Sequence, residues 1–277
     1  MVRESWIVDG AVHVDRVCTT HDLRPTNHGI LQAMNAVTLS GKTAVVTGGS
    51  RGIGYAVAAA LLHRGANVVI SGTAEATVST AAATLRAAAR QDAHVMHVKV
   101  DVRRFEEVAQ LMKRASEHFD GLDILINNAG VGIWGSVADM PVDDWSTTLD
   151  TNLTGVFHCC HAALPYLRRR GSGWIINISS LASKNPFADG AAYCASKAGL
   201  NAFSEALMQE VRHDGIRVAY VLPGSVRTDF GGHSSADQDW KLAPEDVAEA
   251  VCDLLAHPAR SLPSRVELRP ARPARKG

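Results

Sequence analysis

The sequence predicts a single doubly wound α/β domain, a parallel sheet with helices on both faces. Three observations carry that expectation. From residue 43 almost to the C-terminus, short runs rich in Val and Ile alternate with segments of helix length. These runs are apolar throughout, as strands covered on both faces must be. Each is followed by a helix-length segment, so successive strands are parallel and joined by right-handed crossovers.

The elements follow in order. "TAVVTGG" is the first strand and "GIGYAVAAALLHRGA" the first helix; "NVVISG" and "EATVSTAAATLRAAARQ" are the second pair. "HVMHVKVDV" precedes the helical "RRFEEVAQLMKRASEHFDG", and "LDILINNAG" precedes a long helix within "VDDWSTTLDTNLTGVFHCCHAALPYLRRR". "GWIINISS" is followed by a helix over 193–213, then by the strand "RVAYVLPG", the helix "PEDVAEAVCDLLAH" and a short strand near "SRVELR". The domain therefore spans residues 41–268. Residues 1–40 lack sustained periodicity and contain "RPTNHG", so they read as a loosely ordered extension. Met34 opens a stretch that looks like a fresh start, which makes an upstream start codon a second reading of residues 1–33. Residues 269–277, "RPARPARKG", read as a solvated basic tail.

Composition narrows the function classes. The 28 basic and 28 acidic side chains balance among 277 residues, which argues against nucleic acid or an anionic membrane as partner. No apolar run approaches the roughly 20 residues that cross a bilayer. Glu4, Asp9, Asp15 and Asp22 in the opening segment argue against a transit peptide. The five cysteines show no framework spacing, so a cytoplasmic setting is expected.

"TGGSRGIG" joins the first strand to the first helix. Gly48, Gly52 and Gly54 permit a sharp turn and close approach of the main chain to a pyrophosphate, which then sits on a helix N-terminus. An NAD site usually places an acid at the end of the second strand. Gly72 and Thr73 stand there instead, and Arg51 and Thr73 suit a 2′-phosphate. Glu75 is the dissenting residue, placed by its position in the start of the next helix. NADP(H) is therefore favoured over NAD(H).

Tyr193 and Lys197, in "YCASK", are four apart and share a helix face. A nearby ammonium lowers a phenol's pKa toward the range useful for proton transfer. Thirteen residues before Tyr193, the strand "WIINISS" ends in Ser179 and Ser180, either of which could face a crevice at the carboxyl edge of the sheet.

These segments, in order, resemble the short-chain dehydrogenase/reductase family: "TGGSRGIG", Asp101-Val102, "NNAG" at 127–130, Asn152, Ser180, Tyr193, Lys197 and "LPGSVRTD". The resemblance runs from about residue 41 to the last strand and implies a Rossmann fold. Among members, the chain looks most like NADPH-dependent 3-oxoacyl-acyl-carrier-protein reductases. It implies an oxidoreductase acting between a carbonyl and an alcohol, with Tyr193 as proton donor or acceptor. Lys197 would tune the phenol and bind ribose, Ser180 would bond the substrate oxygen, and Asn152 would hold a relay water. Gly48, Gly49, Ser50, Arg51, Gly52, Ile53, Gly54 and Thr73 would hold the cofactor's phosphates. Asp101 and Val102 would flank the adenine, Asn128, Ala129 and Gly130 the ribose, and Val226 and Thr228 the nicotinamide. Asn127 reads as a structural brace.

The expected substrate wall is apolar, with Trp134 and Phe187 foremost beside Gly132, Ile133, Phe230 and Trp240, under a short lid after Thr228. A homodimer or homotetramer is implied, the helices near 151–168 and 193–213 forming the dimer surface; the last strand lacks the Gly-Gly of relatives that build a tetramer contact. "HCCH" at 158–161 reads as a packed helix surface and not a metal site, since its side chains diverge. Two alternatives remain: a dedicated 3-oxoacyl thioester reductase, and a non-catalytic dinucleotide-binding sensor or scaffold.

Overall fold

The computed structural model describes residues 38–232 and 239–272, all within one compact unit spanning Ala36–Gly277. The expectations for residues 1–37, for the middle of the lid at 233–238 and for residues 273–277 lie outside the described residues.

Seven strands form the sheet: β1 (Thr43–Val46), β2 (Asn67–Gly72), β3 (Val95–Lys99), β4 (Ile124–Asn127), β5 (Gly173–Ile178), β6 (Ile216–Pro223) and β7 (Arg265–Leu268). Their order is β3-β2-β1-β4-β5-β6-β7, and every pairing is parallel. The helices are α1 (Gly52–His63), α2 (Glu75–Ala88), α3 (Phe105–His118), α4 (Val142–Leu149), α5 (Gly155–Arg170), α6 (Ala191–Val211) and α7 (Pro244–Ala256). This is the doubly wound α/β sheet that the alternating pattern predicts.

Both sheet faces are covered, and strand alternation divides the apolar residues between them. Val46, Ile70, Ile126 and Ile176 pack with Val57, Leu61 and Leu85 of α1 and α2 and with Val251 of α7. Val45, Val69, Leu125 and Ile175 pack on the other face with Leu111 and Met112 of α3, Leu167 of α5 and Leu207 of α6. Truncating any of these buried leucines to Ala costs about 2–5 kcal/mol. Since the strands are buried on both faces, their ends are where polar side chains can gather.

Three departures from the sequence reading have clear causes. Leu39, placed in the extension, is buried in the core, and its N–H donates to the Arg64 carbonyl at 2.7 Å. The helix expected across 142–170 is divided by a π-helical turn, Asp150–Thr154, between α4 and α5. That turn inserts an extra residue and aims Asn152 inward, as π-bulges at functional sites do. The first residues of the expected tail are part of the fold: Gly224 N–H donates to the Leu268 carbonyl at 2.8 Å, and a Cβ on Gly224 would lie 3.1 Å from Pro270 Cδ.

Candidate active site

The strand order reverses between β1 and β4, and a crevice opens beyond the carboxyl ends of the strands at such a switch point. A cavity of about 1220 Å³ lies there.

Its first wall is the turn from β1 into α1. Gly48, Ser50, Arg51, Gly52 and Ile53 line the cavity. Gly48 has φ +64°, and a Cβ there would lie 2.9 Å from the Ala129 Cα; Gly52 has φ +54°. A Cβ on Gly54 would overlap the Gly48 carbonyl oxygen and the Asn128 carboxamide. Gly49 and Gly54 stand behind the wall and not in it: Gly49 backs onto Ile70 of β2, and Gly54 lets α1 approach the loop. Their requirement for glycine is one of packing. The first turn of α1 carries no acidic residue, so its positive end is open to an anion.

Thr47 and Asn128 brace this turn. The Thr47 hydroxyl accepts from the N–H groups of Asn128 and Ala129 at 3.0 and 3.1 Å. The Asn128 amide donates to the Thr47 and Gly48 carbonyls, each at 3.0 Å. Asn128, Ala129 and Gly130 also line the cavity, so the Asn128 side chain holds the loop while its backbone forms wall. Further out, Thr73, Asp101 and Val102 line it. Arg103 grips the Asp101 carboxylate with contacts of 2.6 to 3.0 Å, and this guanidinium holds the acid below the usual carboxylate range. Glu75 does begin α2, where its carboxylate meets His97 at 3.2 Å. Ser71 also lines the cavity, its buried hydroxyl lacking a partner among the described residues.

A cradle that excludes Cβ atoms, an acid-free helix N-terminus and an unpaired hydroxyl together fit a dinucleotide's phosphates and ribose.

The opposite wall carries Ser180, Tyr193 and Lys197. Ser180 caps a 3-10 turn (Leu181–Ser183) beyond β5 and accepts from the Ala182 N–H at 3.1 Å. Its neighbour Ser179 turns the other way, donating to Asn201 of α6 at 2.6 Å. The structure thus separates the two serines, leaving Ser180 on the Tyr193 side. Burial pushes the Tyr193 phenol up from its usual value, while a hydrogen bond from Ser180 opposes the shift. Lys197 Nζ donates to the Ile178 carbonyl at 2.8 Å and lies 5.9 Å from the phenol ring centroid. Burial drops its pKa to about 8. Burial is the largest influence on the phenol and acts opposite to the lowering expected from Lys197, whose ammonium donates one hydrogen bond to a backbone carbonyl.

Asn152 is fully buried and lies behind the cavity wall. Its carboxamide accepts from the Val131 N–H at 2.8 Å and donates to the Val131 carbonyl at 2.9 Å and the Ser196 hydroxyl at 3.1 Å. It clamps the Gly130–Val131 segment. A Cβ on Gly130 would lie 3.2 Å from its Oδ1 and 3.8 Å from Lys197 Nζ, so these two polar groups flank that glycine.

Trp134 and Phe187 line the cavity, with Phe230 and Trp240; Val226 and Thr228 close it from the β6 side, and Thr228 would meet a Cβ on Gly52 at 3.2 Å. Gly132 and Ile133 are not in the wall. Asn127 is a brace as expected, donating to Asn177 at 2.8 Å, and Asn177 donates to Ser204 at 2.8 Å. In "HCCH", His158 bonds the Val102 carbonyl at 3.0 Å, His161 packs on Phe105, and Cys159 and Cys160 are buried. Among the described residues, no cluster of His, Cys, Asp and Glu could hold a metal.

The sequence reading missed Ser71, Asn201 and the wall residues Arg269 and Pro270. Asn201 carried a signal, standing one turn beyond Lys197 on the same face; the others carried none.

This geometry agrees with the comparison that decides the family. The model of the short chain dehydrogenase family matches residues 42–239.

The chain belongs to the short chain dehydrogenase family.

Several relatives bear this out. A Staphylococcus aureus N315 protein described as an uncharacterized oxidoreductase is 36% identical over 232 residues, 84% of this chain and 98% of the relative. An alcohol dehydrogenase from the archaeon Thermococcus sibiricus, solved with 5-hydroxy-NADP, superposes with a TM-score of 0.77 at 28% identity, covering 84% of this chain and 99% of that one. A metagenomic short-chain oxidoreductase solved with NADP gives 0.73 at 35% identity, covering 85% and 99%. This short chain dehydrogenase is an oxidoreductase by family, and no helix among its described residues is long and apolar enough to cross a membrane.

Proposed function

We propose that this protein is an NADP(H)-dependent oxidoreductase interconverting a ketone or aldehyde with its alcohol, with Tyr193 as the proton donor and acceptor. The observation that carries the reading is the convergence of Ser180, Tyr193 and Lys197 on the cavity wall facing the glycine cradle. The cofactor, when bound, supplies or accepts the hydride. Tyr193 handles the accompanying proton at the substrate oxygen, and Ser180 donates a hydrogen bond to that oxygen. Burial keeps the phenol protonated through neutral pH, which is the form that gives a proton in reduction. Lys197, beside Gly130, would hold a ribose hydroxyl of the cofactor, and Asn152 holds the Val131 backbone next to it. Gly48, Ser50, Gly52 and Ile53 would hold the phosphates, Asp101 and Val102 would flank the base, and Val226 and Thr228 would meet the nicotinamide.

The NADP(H) preference rests on Arg51 and Thr73 at the cavity rim, on Glu75 being engaged with His97, and on the NADP-type ligands of two similar structures. The test is steady-state kinetics on a panel of carbonyl compounds with NADPH and NADH. We expect at least a tenfold higher kcat/KM with NADPH; equal values would overturn the preference. Tyr193→Phe should abolish turnover while NADPH still binds. A variant retaining near-full activity would refute the assignment.

A further inference from the structure

The substrate end of the cavity is bounded by rings. Trp134 lies 5.2 Å from Tyr193 edge-on and 5.6 Å from Phe187, and Phe230 lies 5.7 Å from Tyr193 on the other side. Each ring rests on a glycine. A Cβ on Gly132 would lie 2.7 Å from both Phe230 and Trp134, one on Gly190 would strike Phe187 at 2.5 Å, and one on Gly231 would strike the Trp134 indole at 2.7 Å. Phe187 and Phe230 stay 50% and 41% exposed although both reach the cavity. Aromatic side chains lining a cavity are available to a bound ligand.

We infer that the substrate carries a flat aromatic or conjugated group next to its carbonyl, held between Trp134, Phe187 and Phe230 around the Tyr193 phenol. This inference rests on the carbonyl–alcohol reading above. Three polar groups of the same cavity wall are already engaged, while Arg227, Asp229 and Lys241 also line it. The Trp134 indole N–H already donates to the Gly231 carbonyl at 3.3 Å, Asn185 donates to the Leu181 carbonyl at 3.3 Å, and Arg269 is paired with Glu267 at 3.3 Å. Beside the Tyr193 phenol itself the contacts are ring face and ring edge, which favour a planar π-system in offset or edge-on contact.

The deciding pair is acetophenone against cyclohexyl methyl ketone, which match in carbon count. Saturated rings are the more hydrophobic and conjugation makes an aryl ketone the harder to reduce, so both general effects oppose an aryl preference. With NADPH, the wild-type kcat/KM should favour acetophenone about tenfold or more. That ratio should fall several-fold in Trp134→Leu and in Phe187→Leu; the half-exposed Phe187 gives a variant whose folding is safe, checked by its melting temperature. Equal wild-type values, or a ratio unchanged in both variants, overturns the inference while leaving the oxidoreductase reading intact. Should neither ketone turn over, the carbonyl panel decides that reading. The cage is then judged by saturation-transfer NMR with acetophenone: a signal that Phe187→Leu removes supports it, and no wild-type signal overturns it.

Discussion

At the β1 end of the cavity the wall is main chain: glycines in left-handed or crowded positions, an open helix N-terminus, and the Thr47 and Gly48 carbonyls tied down by Asn128. At the β5 end it is side chain: Ser180, a buried phenol and a buried ammonium, each held by a neighbour. The first end recognises by shape and excludes any added Cβ. The second works through burial, which raises one pKa, lowers another, and makes each polar contact costly to lose. The two ends should therefore fail differently, the first in binding and the second in turnover.

The largest effect is expected for Tyr193→Phe, a loss of at least about 10³-fold in kcat with the nucleotide affinity kept. Gly54→Val, at the other end, should abolish nucleotide binding and lower the melting temperature, because its side chain must displace the Gly48 carbonyl and the Asn128 amide; nucleotide titration by fluorescence reads this. If the Gly54 variant bound normally and only turned over slowly, the contrast between the ends would collapse.

Asn201 sharpens the comparison. Its carboxamide accepts from Ser179 at 2.6 Å and donates to Ser183 at 2.8 Å, while Ser183 donates to the Ser180 carbonyl at 2.6 Å. It thus steadies both sides of the Ser180 turn without touching the cavity. Asn201→Ala should lower kcat about tenfold, leave nucleotide affinity unchanged and cost about 1–2 kcal/mol of stability. Steady-state kinetics beside a nucleotide titration separates these.

Lys197 allows a test by pH. Its folded pKa of about 8 lies below the free value of 10.5, so between those values the unfolded chain binds more protons and stability rises with pH. The burial penalty is full below pH 8 and is relieved toward 10.5. Wild type should therefore gain stability relative to Lys197→Met across that window, by up to about 1.4 kcal/mol per pH unit. A flat difference from pH 7 to 10.5 would show that the ammonium is not buried as described. The smallest effect belongs to Glu75→Gln, whose carboxylate is exposed and engaged with His97; kcat/KM should stay within about twofold.

Much of this was legible beforehand, for definable reasons. The βα alternation shows in the sequence because strands buried on both faces must be apolar throughout, and the glycine turn shows because few other residues adopt its conformation. Tyr193 and Lys197 share a helix face by spacing alone. Their electrostatics did not follow from that spacing: a four-residue separation puts side chains near one another, but which acceptor the ammonium takes depends on the Ile178 carbonyl at the end of β5, nineteen residues away. Ser179 and Ser180 likewise looked equivalent until Asn201 claimed one of them.

The sequence by itself thus determined the fold class, the glycine turn at the first strand–helix junction and the candidate reactive side chains, since local propensity, periodicity and glycine chemistry are properties of short segments. Only the tertiary structure decided which serine faces the phenol, that Asn152 serves the Val131 backbone, that Arg269 and Pro270 join the wall, and that Trp134 and Phe230 flank Tyr193 with Phe187 against Trp134. Those are contacts between segments far apart in the chain, and their energies arise from burial and partner geometry that exist only once the sheet is assembled.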